Sequence, residues 1–326
     1  MKAVVLDTDD RFHLTDIDQP APGPGEVAIR VQYAGIQWGD VLLRDGHFPV
    51  PRPFVPGFEA AGHIVAVGEG VAEDRLGQQV AALTSGGAYA EVVVAPAALS
   101  FDTFGTDLRT AAGCGWAALT AYDLIHSVGR VRPGESVLIH AAAGGVGSLA
   151  AQVARTAGAG RIVGVVKDAQ RAAYAARFGY DQLITREEFT QEFTDAPDAP
   201  DAPDQELFDV ILDPVGGPVR ETNLRRLAPH GRLAIYGNLA TFEPVALSAN
   251  DLLMSGKSAL TYNSNLLSQT HPDRLAESAR EALQSVAAGR IRPDVTAEYE
   301  MADLAEAVQR LADGATRGKS VLRIAA

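Results

Sequence analysis

The chain has 326 residues, 47% hydrophobic and 21% charged, which suits a soluble globular protein of about two domains and excludes a disordered or fibrous one. Its net charge of −13 argues against nucleic acid or an anionic membrane surface as the main partner. No run approaches the roughly 20 apolar residues of a membrane helix, the N-terminus lacks the apolar stretch of a signal peptide, and a single cysteine, Cys114, suits a reducing setting, so a cytoplasmic location is the expectation.

Residues 1–113 carry short β-like runs cut by Gly and Pro: "KAVVL", "GEVAIRVQYAGI", "AAGHIVAVG" and "YAEVVVAP". Many short strands between turn signals predict a small barrel or folded sheet, with "PAPGPGEV" marking a turn ahead of a strand. Near Ala111 the pattern changes, and "TAAGCGWAALTAYDLIHSVG" is Ala-rich with helical spacing. After the Pro133-Gly134 turn, strands alternate with helices: "SVLIHA", "VGSLAAQVARTAG", "RIVGVV", "AQRAAYAARFG", "FDVILDPV", "VRETNLRRLAP" and "GRLAIYG". Continuous apolar strands between helices predict a doubly wound parallel sheet, hence an α/β fold.

"TDAPDAPDAPDQE", Thr194 to Glu206, is an acidic Asp-Ala-Pro repeat with no apolar face, expected as an exposed, extended loop in the second domain. Beyond about residue 265 come the helix "RLAESAREALQSVAAG", a short strand, the helix "ADLAEAVQRLADG" and the strand "KSVLRIA", expected to return to the first domain. The predicted division is 1–113 with 266–326, and 114–265.

The stretch "SVLIHAAAGGVGSLAAQVA" joins a buried strand to a helix through a turn of small residues. It reads as a dinucleotide fingerprint at Ala142, Gly144 and Gly147, with Gly145 in addition and the helix starting near Val146. The first position allows the turn, the second lets the backbone approach a pyrophosphate, and the third lets the helix lie close to the strand. The next strand ends at Val166, where a ribose-binding carboxylate would select NAD; instead Lys167 and Arg171 follow, with Asp168 between them. These cations suit a 2′-phosphate, so NADPH is the expected cofactor.

Taken together, "GFEAAGHIVAVGEGV", "GGAYAEVVV", "HAAAGGVG", "ILDPVGG" and "GKSVL" resemble, in order along the whole chain, the zinc-free quinone oxidoreductase and enoyl reductase branch of the medium-chain dehydrogenase/reductase superfamily. The resemblance implies a GroES-like β-barrel catalytic domain, a Rossmann domain binding NADPH, a cleft between them, and a homodimer joined edge to edge through "SALTYN". Zinc-dependent relatives bind the metal through two cysteines and a histidine. Here the histidine position is Phe58, "GIQWGD" holds no thiol, and only Cys114 lies near the third position, so no metal site is expected. His63, five residues on in a strand-like run, reads as a packed or surface histidine.

Relatives without zinc reduce quinones, enones and enoyl thioesters, whose conjugation supplies the electron sink: hydride adds to the β carbon and charge moves onto the carbonyl oxygen. The catalytic candidates are Gln37, where relatives often have Asn; Asp40, expected to order its loop; Phe48, where relatives often have a tyrosine; and His47 and Tyr262 as proton donors beside water. Asn263 is a further donor and cofactor candidate; Gly237 and Asn238 in "YGNLA", and Lys319, occupy phrases that lie near the cofactor in relatives. The sequence leaves quinone, enone and enoyl thioester undivided as substrates. A non-catalytic NADPH-binding sensor or structural protein is the alternative.

Overall fold

The computed structural model describes residues 1–194 and 207–324, so the Asp-Ala-Pro repeat lies outside the described residues. The chain divides into two compact units: Met1–Leu119 with Ser268–Ala326, and Thr120–Leu267.

The first unit begins with an antiparallel pair, β1 (Lys2–Leu6) and β2 (Phe12–Asp16). Next come the long strand β3 (Glu26–Ile36), the short helix α1 (Trp38–Arg44), β4 (Glu59–Val67), β5 (Gln79–Leu83), β6 (Val92–Pro96), β7 (Ser100–Asp102) and α2 (Leu108–Asp123). The strict alternation of a half-exposed strand is missing from β3, because Val27, Ala28, Ile29, Val31, Ala34 and Ile36 are all buried. β3 pairs with β4 on one side and with β6 over its first half, and it slips register twice against β4. Gly62 permits that close pairing, since a Cβ there would lie 1.9 Å from the carbonyl oxygen of Arg30.

The second unit contains β8 (Ser136–His140), α3 (Gly145–Thr156), β9 (Arg161–Val166), α4 (Ala169–Ala175), β10 (Gln182–Thr185), α5 (Arg186–Thr194), β11 (Phe208–Asp213), α6 (Val219–Arg226), β12 (Leu227–Ile235), α7 (Ala249–Ser255) and β13 (Ser258–Thr261). Its six strands are all parallel, in the order β10-β9-β8-β11-β12-β13. The chain winds outward from β8 in one direction and from β11 in the other. The crevice at the carboxyl ends of β8 and β11 is therefore the switch point, where such sheets bind ligands. "LAP" of the expected helix "VRETNLRRLAP" is already strand, because Leu227 pairs with Phe208.

After α8 (Ser264–Thr270), α9 (Pro272–Ala287), β14 (Val295–Glu300), α10 (Leu304–Ala312) and β15 (Lys319–Arg323) complete the first unit. β15 pairs antiparallel with β3 and parallel with β14, giving the sheet order β14-β15-β3-β4-β5-β7. The unit boundary falls after Leu119 rather than at 113, because the start of α2 packs on this sheet. A Cβ on Gly113 would lie 2.8 Å from Val295 Cγ2, and one on Gly115 would lie 3.0 Å from Leu83 Cδ2.

An ion pair closes the first unit. Lys319 Nζ donates to Glu59 Oε1 at 2.7 Å and to the Ile36 carbonyl at 2.9 Å, while Glu59 Oε2 accepts the Trp116 N–H at 2.9 Å. Glu59 is 1% exposed and Lys319 8%. Removing one member of a buried pair strands a charge and typically costs about 3–5 kcal/mol. Lys319→Met is therefore expected to lower the urea midpoint strongly, and Glu59→Gln added to it to recover most of the loss. Wild-type stability in the single variant would show that the pair does not hold this unit together.

Candidate functional site

In the second unit, β8 ends at His140 and the chain turns at Ala141, whose φ is 52°. The Ala142 N–H donates to Val165 O at 3.1 Å, and the Gly144 N–H donates to Ala141 O at 2.9 Å. Gly144 stands extended ahead of α3, and the helix's first bond into it is the Ser148 N–H to Gly144 O at 3.0 Å. The N–H groups of Gly145, Val146 and Gly147 precede that bond, so they belong to the set a helix start leaves for an external acceptor. Gly147 brings α3 onto the turn: a Cβ there would lie 2.5 Å from Ala141 O and 2.9 Å from Ala142 Cα. Ala142 is fully buried, so its methyl fills the turn rather than meeting a ligand. The Tyr180 hydroxyl supports the turn from below, 2.8 Å from Gly147 O and 3.3 Å from Ala142 O. Tyr180 was not a sequence candidate, since nothing local in "FGYDQ" announces a contact with residues more than thirty positions earlier.

Val166 ends β9 buried, and Lys167 follows it exposed. Arg171 is engaged. Its N–H and Nη1 both donate to Asp168, at 2.9 and 2.7 Å, and Asp168 thereby caps α4. Lys167 acts on the same carboxylate through its charge, while Arg171 is hydrogen-bonded to it.

Beyond β11 and β12 the two loops stay zipped together. The Tyr236 N–H donates to Asp213 O at 3.0 Å, and the Leu239 and Ala240 N–H groups donate to Pro214 O and Val215 O, both at 2.9 Å. Gly237 fits because a Cβ would lie 2.8 Å from Pro214 O. Asp213, fully buried, accepts from the Val215 and Gly216 N–H groups at 2.7 and 3.1 Å. Arg220 Nη2 donates to Gly237 O at 2.8 Å and to Asn238 Oδ1 at 2.6 Å. Neither Asp213 nor Arg220 was a sequence candidate, although an acid closing an apolar strand before Pro-Val-Gly-Gly is a readable signal of an anchored loop.

Tyr262 donates its hydroxyl proton to Asp123 Oδ2 at 2.7 Å, and Asp123 Oδ1 accepts from Ser127 Oγ at 2.9 Å. Asn263 Oδ1 accepts the Leu266 N–H at 3.0 Å in the first turn of α8. The structure thus gives both residues local partners. The Lys319 ammonium, another cofactor candidate, is inside the Glu59 pair of the first unit.

The first unit gathers the remaining candidates around α1. The Gln37 N–H donates to Asp40 Oδ2 at 2.8 Å, and the Asp40 N–H donates to Gln37 O at 3.0 Å. The Tyr89 hydroxyl reaches the same Oδ2 at 2.7 Å and the Gly35 carbonyl at 3.1 Å. Asp40 Oδ1 is buried without a partner. Burial pushes the Asp40 carboxyl up to about 7, against the opposing hydrogen bonds from Gln37 and Tyr89 and the charge of Lys319.

The Phe58 ring lies against Gly39 and stands 6.4 Å from the Phe48 ring, tilted by 48°. His47 is exposed, one residue before Phe48. Cys114 is fully buried, and burial raises its thiol well above the ordinary range. The histidine position of the zinc frame is thus held by Phe58, with the Phe48 ring nearby. Among the described residues no three His, Cys, Asp or Glu side chains are grouped to hold a metal.

Residues 145–281 match the family described as zinc-binding dehydrogenase, and residues 23–103 match the alcohol dehydrogenase GroES-like domain. A quinone oxidoreductase of Pseudomonas aeruginosa is 33% identical over 310 residues, covering 93% of each chain. The rat synaptic vesicle membrane protein VAT-1 homolog is 29% identical over 321 residues, 93% of this chain and 78% of its own. The solved structure of Escherichia coli quinone oxidoreductase complexed with NADPH superposes with a TM-score of 0.85 at 26% identity, covering 99% of this chain and 100% of that one.

Asp40 yields a pH prediction. Its carboxyl titrates near 7 when folded but at about 3.9 in an unfolded chain. The stability associated with its proton is present in full below about pH 4 and is lost as pH rises through about 7. Asn is uncharged at every pH, as the protonated carboxyl is. Asp40→Asn is therefore expected to match wild type in urea unfolding at about pH 4 and to gain on it up to about pH 7, by about 1.4 kcal/mol per unit. An offset that does not change with pH would contradict this.

Proposed function

The chain belongs to the zinc-free quinone oxidoreductase branch of the medium-chain dehydrogenase/reductase superfamily, and from that premise we propose that it is an NADPH-dependent reductase of quinones and other conjugated carbonyl acceptors. The carrying observation is the combination of a phosphate-accepting turn at Gly144–Gly147 with the aromatic pair Phe48–Phe58 where a metal ligand would stand.

The turn fits a dinucleotide. Its residues are small, Gly147 allows the close approach, and three N–H groups precede the first helical bond. Bound there, NADPH supplies a hydride from its nicotinamide ring. The helix start receives the pyrophosphate, and Lys167 meets the 2′-phosphate. Phe48 and Phe58 offer an apolar wall suited to a flat conjugated ring and poor in water. With no side chain at Phe58 to hold a Lewis acid, the acceptor has to carry its own electron sink, which a quinone or enone does. Asp40 and Tyr89, both buried, hold the Gln37 loop rather than face an acceptor. His47, exposed and next to Phe48, is the proton donor this reading assigns. A second copy covers the outer edge of β13, where Leu253 and Met254 on α7 are 76% and 85% exposed and Leu266 on α8 is 54% exposed.

The test is NADPH oxidation against a panel of quinones, enones and an enoyl thioester, with zinc content measured on the same sample. Turnover of quinones or enones that chelators do not diminish is expected. A protein that turns over none of them, or that needs one bound zinc per chain, refutes the reading; turnover of the enoyl thioester alone would move the substrate class.

Cofactor choice gives a second prediction. A charge-assisted contact to the 2′-phosphate is worth on the order of 1.5–3 kcal/mol. Lys167→Ala is therefore expected to raise the KM for NADPH about tenfold or more while changing that for NADH little. Arg171→Ala, already bonded to Asp168, is expected to discriminate less. An equal effect of Lys167→Ala on both nucleotides would remove Lys167 from 2′-phosphate recognition.

A further inference from the structure

Arg220 projects from α6 into the loops that follow β11 and β12. Its Nε stands 3.4 Å from Asp213 Oδ2, a carboxylate oxygen with no hydrogen bond of its own, while Nη2 reaches Gly237 O and Asn238 Oδ1. The Asp213 side chain is completely buried and that of Arg220 is 13% exposed. This guanidinium is therefore held by a buried charge and is not a mobile surface group. The packing around it is tight. A Cβ on Gly216 would meet Asn238 Oδ1 at 3.1 Å and Arg220 Nη2 at 3.3 Å, and Gly216 and Gly217 take φ of 78° and 62°.

A guanidinium has donors and no acceptor, so the Asn238 amide atom facing it has to be the oxygen. The Asn238 amide is thereby fixed, and the hydrogen-bonding group it has left to offer is its NH2. Asn238 follows the carboxyl end of β12, next to β11 at the switch point of the sheet.

Resting on the functional reading above, we propose that Arg220 is a positioning residue that fixes the Asn238 amide as a hydrogen-bond donor to a carbonyl oxygen. That oxygen belongs either to the carboxamide of the nicotinamide ring or to the acceptor. A neighbouring donor at this point favours the dinucleotide or the oxygen on which charge develops, and it would repel neither.

The variants that test this are Asn238→Asp, Asn238→Ala, Arg220→Met and the double Arg220→Met/Asn238→Ala. Each is read by thermal unfolding, by NADPH affinity from fluorescence titration, and by kcat and KM with a quinone. Asn238→Asp still faces Arg220 with an oxygen, so it is expected to fold like wild type while losing tenfold or more in NADPH affinity or in kcat. The double variant is expected to bind and turn over no worse than the weaker single, because the two residues act as one unit. If the donor serves the carboxamide, the loss appears in NADPH affinity and shrinks with thio-NADPH, whose sulfur accepts poorly. If it serves the acceptor, the loss appears in kcat with NADPH affinity unchanged. Wild-type affinity and turnover in Asn238→Asp, or strictly additive losses in the double variant, overturn this assignment alone. A wild-type protein that binds no NADPH overturns the functional reading and this assignment with it.

Discussion

A carboxylate that is 1% exposed has to be answered by a cation, and Glu59 is answered by a lysine from the other end of the chain. That requirement organises the first unit. Lys319 can reach Glu59 only if β15 lies beside β3, and this brings β14 and α10 back to strands laid down some 280 residues earlier. The second carboxylate oxygen takes the backbone N–H of Trp116, so the same side chain also holds α2. Trp116 in turn donates its indole N–H to Phe58 O at 2.6 Å, which ties the residue before Glu59 to the same helix. An apolar sheet alone would bury comparable area, but it would not specify which strand closes it. The charge pair specifies the partner, and the burial supplies the free energy.

The elements with local causes were legible. Apolar runs such as "SVLIH" and "RIVGVV" became parallel strands, and the small residues at Gly144 and Gly147 became the strand-to-helix turn, because backbone sterics and periodicity act within a few residues. What stayed hidden was set by distance along the chain. Lys319 sits in a phrase that suggests a cofactor contact, but its partner is 260 positions away. Arg171 is spaced for a phosphate, yet its guanidinium donates to Asp168, which also caps α4 through the Arg171 backbone N–H. Asn263 looked like a ligand contact and serves as the start of α8. Each of these polar side chains already has a partner in the structure. Composition does not rank such partners; geometry does.

Asp40 and Tyr89 illustrate a different limit. The phenol has one proton and two acceptors in reach, Asp40 Oδ2 and the Gly35 carbonyl. With Asp40 ionised, the proton goes to the carboxylate and Gly35 O goes without it. With Asp40 protonated on Oδ2, the carboxyl donates to the phenol and the phenol donates to Gly35 O. Both forms keep the Gln37 loop in place, so the cluster tolerates either charge state with little movement. Such tolerance explains how a fully buried acid sits beside the candidate site without dictating the conformation of the loop it supports.

The two aromatic residues, Phe48 and Phe58, then set the chemistry that remains open. On the proposed reading, Phe48 and Phe58 give an acceptor apolar contact area with neither a hydroxyl nor a metal ligand at those two positions. A site of that kind contributes orientation and exclusion of water more than electrophilic pull. Any polarisation of the acceptor has to come from the acceptor's own conjugation or from donors on fixed backbone and amide groups. Within the second unit, buried Asp213 holds the loop after β11 by accepting two backbone N–H groups. Loss of the metal is thus compatible with redox chemistry, provided the substrate brings its electron sink and the protein brings geometry.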